Sequence, residues 1–61
     1  MRIDELKAKK LDAETRCGQW LADGNEHLEA GRKVEAEKCY EKSQYWLDRA
    51  NKLQDQIDAR G

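Results

Sequence analysis

Gly31 stands almost midway along a chain of 61 residues that contains no proline. Glycine readily takes the left-handed conformation that ends a helix, and proline is the residue that most strongly interrupts one. The segment Glu29-Ala30-Gly31-Arg32-Lys33 is therefore the natural place for a bend. We predict one domain over residues 1–61, with helices at about 3–29 and 33–59 and a turn at about 30–32.

Small and apolar residues recur alternately three and four positions apart in each half, as in the seam of a coiled coil. In the first half, where Lys10 is the one polar interruption, they are Ile3, Leu6, Ala13, Cys17, Trp20, Gly24 and His27. In the second half they are Ala36, Cys39, Ser43, Trp46, Ala50, Leu53 and Ile57. Both halves are thus predicted to be amphipathic helices that pack along one seam.

An antiparallel hairpin follows, with a register that sets Leu6 near Ile57, Ala13 near Ala50 and Trp20 near Ser43. Further apolar residues lie beside the seam, namely Leu11, Leu21, Leu28, Tyr40 and Leu47. Two helices cannot cover so wide a stripe, and small domains commonly gain stability by self-association. The predicted fold is an all-α antiparallel two-helix hairpin that dimerises into a four-helix bundle. Its predicted core is Leu6, Ala13, Cys17, Trp20, Ala36, Cys39, Tyr40, Trp46, Ala50, Leu53 and Ile57.

Charge limits the choice of partners. Charged residues make up 41% of the chain, with 12 basic against 13 acidic residues and a formal net charge of -1. The two signs are interleaved, so no long-range field favours nucleic acid or a membrane surface. The densest basic cluster, Lys7, Lys9 and Lys10, is followed at once by Asp12 and Glu14, and we interpret it as a solvated helix face.

The sequence predicts a cytoplasmic protein, because no apolar run approaches the ~20 residues of a membrane span and the N-terminus lacks the apolar core of a signal peptide. Cys17 and Cys39 lie at different distances from the turn, so they cannot form a disulfide within the hairpin. We interpret both as small buried hydrophobic residues. A redox-sensitive link between the cysteines of two copies is the open alternative.

No catalytic or metal-binding group is predicted. His27 is the only histidine, and Ala30 and Gly31 occupy the turn after it, so convergent partners are missing and packing explains its seam position better. Neither cysteine belongs to a CxxC motif, and there is no glycine-rich phosphate loop. We predict a protein that is not an enzyme and has no metal and no cofactor.

The stretch from Trp20 to Ser43 resembles one tetratricopeptide repeat. The residues that carry the resemblance are Trp20, Gly24, Gly31, Ala36 and Tyr40. The resemblance implies a tight hairpin in which Gly24 and Ala36 let the two backbones approach. Departures from the family pattern are Asp23, His27, Ser43 and Asp48. Because tandem repeats form the family's peptide groove, no binding residue transfers to this single repeat.

The predicted function is a small non-enzymatic protein–protein interaction module, an adaptor, assembly factor or inhibitor that acts as a homodimer and binds another protein. Tyr45 lies off the seam and is the candidate for partner contact. So short a chain without catalytic groups is typical of phage or mobile-element accessory proteins. The alternative is a nucleic-acid-associated regulator using Arg2, Lys9 and Arg16, which recur every seventh residue. A designed or excised hairpin without a biological role is a third possibility.

Overall fold

The chain folds into two long helices that pack against each other as a hairpin. A computed structural model describes residues 2–60, with α1 at Ile3–Glu29 and α2 at Lys33–Arg60. No strand occurs among these residues. The prediction of an all-α hairpin is confirmed.

A Schellman motif ends α1 at the predicted glycine. Gly31 has a φ of 80°, in the left-handed region. The Arg32 N–H donates to the His27 carbonyl at 2.8 Å, and the Gly31 N–H donates to the Leu28 carbonyl at 3.0 Å. These two bonds satisfy carbonyls that a helix end would otherwise leave unpaired. The chain can therefore reverse direction within three residues.

The two ends of the hairpin pack differently. Toward the open end, aliphatic side chains form one buried cluster of Leu6, Ala13, Ala50, Leu53 and Ile57, against which Ile3 and Trp46 pack. Toward the turn, the buried residues are small: Gly24, Ala36, Cys39 and Ser43. Helix axes can approach closely where the facing residues are small.

Tyr40 explains why one of these small residues is a glycine. A Cβ atom built on Gly24 would lie 2.6 Å from Cε1 of the Tyr40 ring. The Tyr40 hydroxyl donates to Oδ1 of Asn25 at 2.6 Å, which fixes the ring over the glycine. A side chain at position 24 and a tyrosine ring in this place are thus mutually exclusive.

Ser43 forms its hydrogen bonds with Cys17 of α1. Its hydroxyl donates to the Cys17 carbonyl at 3.0 Å and lies 3.2 Å from the Cys17 Sγ, one turn before Trp20. A buried hydroxyl needs a hydrogen-bond partner, and the carbonyl supplies it. Cys17 and Cys39 are both free thiols.

The hairpin is a rod of 45 × 13 × 12 Å. Its radius of gyration is 13.9 Å, whereas a compact chain of this length would have about 10.5 Å. Its accessible surface is 4669 Å², against about 4100 Å² for a compact monomer of the same mass. Both long sides of the seam are therefore open to solvent.

Candidate functional site

The helices present two long sides that flank the shared seam. We letter the seven positions of each repeat a to g, with the seam residues at positions a and d. Positions b and e then lie on one side of each helix, and positions c and g lie on the other side. The hydrogen bond between Tyr40, at position e of α2, and Asn25, at position b of α1, joins the two b/e sides. The hairpin thus has one b/e side and one c/g side, each built from both helices.

The b/e side carries what we call the apolar face, which consists of Leu11, Leu21, Leu28, Tyr40 and Leu47. The four leucines are 65%, 47%, 50% and 41% exposed, respectively. Across the b and e positions of residues 11–28 and 40–47, Glu14 is the one charged residue, and its carboxylate pairs with the Lys10 ammonium at 3.2 Å. From Leu11 to Leu28 the face is about 25 Å long, at 1.5 Å per residue.

Gly18 lies within the apolar face, seven residues after Leu11 and three before Leu21. A Cβ atom at Gly18 would meet nothing within 4 Å, so packing inside the hairpin does not require a glycine there. Glycine in a helix interior costs roughly 0.5–1 kcal/mol relative to alanine. The single hairpin offers no structural reason for this cost.

The c/g side carries what we call the basic–aromatic face. Five of its cations lie in the helices away from the turn: Lys9, Arg16, Lys42, Arg49 and Lys52. A further cation of this side, Lys38, lies nearer the turn. Its aromatic residues include Trp20 and Trp46, which sit at seam positions and are half-buried. Tyr45, at position c, is exposed beside them. Side chains of Lys9, Arg49 and Lys52 line one shallow hollow, which joins the two helices on this side.

Each tryptophan of this face lies beneath a cation. The Lys42 ammonium is 4.3 Å from the Trp20 ring centroid. The guanidinium groups of Arg16 and Arg49 lie 5.0 and 5.9 Å from the centroid of Trp46. Cation–π attraction at these distances holds the long basic side chains along the seam. The cations of this group thus lie around the two tryptophan rings, which form an aromatic floor.

Within residues 2–60, most of these cations have no anionic partner. The Nε of Arg16 bonds to the Asp12 carboxylate at 2.9 Å. Among the ion pairs of residues 2–60, none involves Lys42, Arg49 or Lys52. The turn end of the same side is acidic on balance, because Asp23, Glu26 and Glu35 lie there against one cation, Lys38.

The predicted core residues fall into two groups. Buried in the hairpin are Leu6, Ala13, Ala36, Cys39, Ala50, Leu53 and Ile57. Half-buried are Cys17, Trp20, Tyr40 and Trp46. Tyr45, the predicted partner contact, is 57% exposed. Its ring packs edge-on against Trp46, with the ring centroids 5.3 Å apart and the ring planes at 76° to each other.

Gly24 and Ser43 are buried although they do not belong to the predicted core. The seam positions of these two residues are the sequence feature that could have predicted their burial. The basic–aromatic face was recognised only in part, through Lys9 and Arg16 of α1. The seven-residue spacing of Lys42 and Arg49 in α2 could have revealed the other half.

Within the described residues, no three His, Cys, Asp or Glu side chains come together to hold a metal ion. None of the helices between residues 2 and 60 combines the length and apolar character needed to cross a membrane. The two faces are therefore the candidate functional surfaces of the hairpin.

The contact of Tyr40 with Gly24 agrees with the tight hairpin that the resemblance to a tetratricopeptide repeat implies. Comparisons of the chain with models of known protein families, with curated proteins and with solved structures found no match. The resemblance stays a prediction, and any function must be inferred from the two faces themselves.

Proposed function

We propose that this hairpin is a small non-enzymatic protein–protein interaction module that works as a homodimer. Two copies would pair their apolar faces and form a four-helix bundle. The observation that carries the proposal is the apolar face itself, which holds four substantially exposed leucines and one charged residue over about 25 Å. Such a surface is costly to leave in water.

The shape of the hairpin supports a second copy as the occupant. The core is limited to one seam, and the accessible surface exceeds that of a compact monomer by roughly 600 Å². A standard interface buries about 800 Å² on each partner, which is comparable with one long side of a 45 Å rod. Pairing two apolar faces would turn two thin rods into one compact bundle.

Gly18 gives independent support. The hairpin does not need a glycine at this position, yet Gly18 lies between leucines of the apolar face. A glycine allows the backbone of another helix to approach closely. A helix of the second copy crossing near Gly18 would provide the missing reason for it.

Sedimentation velocity tests this interface through charge substitution. The variant that combines Leu21→Glu with Leu47→Glu should weaken self-association by about a hundredfold or more, because a carboxylate cannot be buried unpaired. Val34→Glu is the matched control, since Val34 is 61% exposed but lies outside the apolar face. Equal self-association of all three proteins would refute the interface.

A second candidate function is a nucleic-acid-associated regulator that uses the cations of the c/g side. The observation that favours it is the gathering of Lys9 and Arg16 with three unpaired cations of α2. Retention on single-stranded DNA that weakens steeply as salt rises would support this function. Absence of retention at low salt would remove it.

We also propose a cytoplasmic location. Two free thiols are ordinary in a reducing compartment, where disulfides are rare. Fractionation of cells that express a tagged chain would test this part of the proposal. Recovery with membranes or outside the cell would contradict it.

A further inference from the structure

We propose that the basic–aromatic face docks an acidic amphipathic helix of a partner protein. This inference rests on the proposed role as a protein interaction module and names its partner class. The apolar face would be occupied by the second copy, so the opposite side would remain available in the dimer. A helix lying in the groove between α1 and α2 is a common mode of peptide recognition.

Charge complementarity is the first argument. Five cations from two helices border the groove, and Lys42, Arg49 and Lys52 take part in none of the ion pairs of residues 2–60. Positive charges held 4.3–5.9 Å above tryptophan rings have already lost part of their conformational freedom. Ordering them against partner carboxylates would therefore cost less entropy than for freely moving side chains.

The aromatic floor is the second argument, and it favours a helix over nucleic acid. Base stacking needs an open ring face, but Arg16 and Arg49 lie over Trp46, and Lys42 lies over Trp20. The half-buried tryptophans offer the remaining ring surface and the alkyl stems of the cations. Leucine side chains of a partner helix would bury this mixed surface well.

The length of the basic region is the third argument. Lys42 and Lys52 are ten residues apart, which corresponds to about 15 Å, or roughly three turns of a partner helix. Beyond this region, the carboxylates of Asp23, Glu26 and Glu35 outnumber the one cation, Lys38, at the turn end of the same side. A nucleic acid strand continuing along the side would meet like charges, whereas a short acidic helix would end before them.

The test uses the full chain and a synthetic helical peptide of about 16 residues, with leucines on one face and glutamates flanking them. The peptide contains no tryptophan. Both tryptophans of the protein lie on the proposed surface, so their fluorescence reports binding directly. Two further probes are the same peptide with lysine in place of glutamate and a single-stranded oligonucleotide of similar length.

We expect the glutamate peptide to shift the tryptophan emission and to bind at least about tenfold more tightly than the lysine peptide. The variant combining Arg16→Ala with Arg49→Ala should bind it about tenfold more weakly. The control variant combines Lys7→Ala with Lys33→Ala, which removes two cations from the b/e side, and it should bind like the unmodified protein.

Equal binding of the two peptides, tighter binding of the oligonucleotide, or no peptide binding by a folded protein would each overturn this inference. Sedimentation of the same samples separates it from the dimer proposal. Lost peptide binding with intact self-association would refute the docking surface alone. Intact peptide binding by a protein that stays monomeric would refute the dimer alone.

Discussion

The two long sides of this hairpin flank the same seam but differ in what they present to water. The apolar face offers leucines with almost no charge, and a glycine with open space above it. The basic–aromatic face also contains large apolar groups, yet cations lie over its tryptophans. One side therefore exposes apolar surface directly, whereas the other covers it with charged groups that water solvates.

The two sides of a chain too short for a large core can therefore serve different functions, one in self-association and the other in partner recognition. Burial of leucine side chains drives association in proportion to area, whatever the identity of the partner. Ordered charges contribute more to the choice of partner and to the rate of encounter. We therefore propose that the apolar face serves self-association and that the basic–aromatic face serves partner recognition.

The largest expected effect comes from the seam that both faces share. Leu6 has no exposed surface, so Leu6→Ala should lower the free energy of unfolding by about 3 kcal/mol. Urea unfolding followed by circular dichroism would measure it. Leu11→Ala is the control, because Leu11 is mostly exposed in the single hairpin. Similar losses in both variants, at a concentration where the protein is monomeric, would contradict the assigned core.

The next effect concerns the support of the apolar face by Tyr40. Gly24→Ala would place a Cβ 2.6 Å from the Tyr40 ring and force the ring outward, away from Asn25. We expect a loss of about 1–3 kcal/mol in thermal or urea unfolding. Combining Gly24→Ala with Tyr40→Ala should cost less than the sum of the single changes. Additive losses would show that the ring does not press on Gly24.

Gly18→Ala should increase the stability of the fold, whereas Gly24→Ala should lower it. In a dilute sample it should stabilise the helix by roughly 0.5–1 kcal/mol, because nothing in the hairpin obstructs the added methyl. At high concentration it should weaken self-association measured by sedimentation. Unchanged or stronger self-association would remove Gly18 as support for the apolar-face dimer.

The smallest effect is expected on the basic–aromatic face. Arg16→Ala removes an exposed ion pair with Asp12 and one cation beside Trp46. Exposed pairs of this kind contribute little, so unfolding should change by about 0.5 kcal/mol, and less at high salt. Self-association should not change. A large loss of stability would mean that this face serves the fold and is not a surface for recognition.

The sequence was sufficient for the outline of the fold because its signals are local. Gly31 marks the turn through its own backbone conformation, and the alternating spacing of three and four defines the seam without reference to contacts. The predicted helices at 3–29 and 33–59 compare with Ile3–Glu29 and Lys33–Arg60 in the structure. Periodicity thus predicts which residues share a side of each helix.

The details of the candidate surfaces depend on side-chain conformations that periodicity does not specify. Ser43 turns to the Cys17 carbonyl because a buried hydroxyl needs an acceptor. Trp20 stays half-buried because a tryptophan side chain is too large to be covered in a two-helix seam, and Lys42 covers part of the remainder. These outcomes require the relative placement of both helices, which the spacing of residues in one helix does not give.

The most direct test of the central claim is the mass of the unmodified protein by light scattering across a dilution series, with helicity recorded alongside. We predict a mass of twice 7.1 kDa at high concentration, which falls on dilution together with part of the helix content. A monomer at every concentration with full helicity would contradict it, because the apolar face would then remain exposed without a second copy.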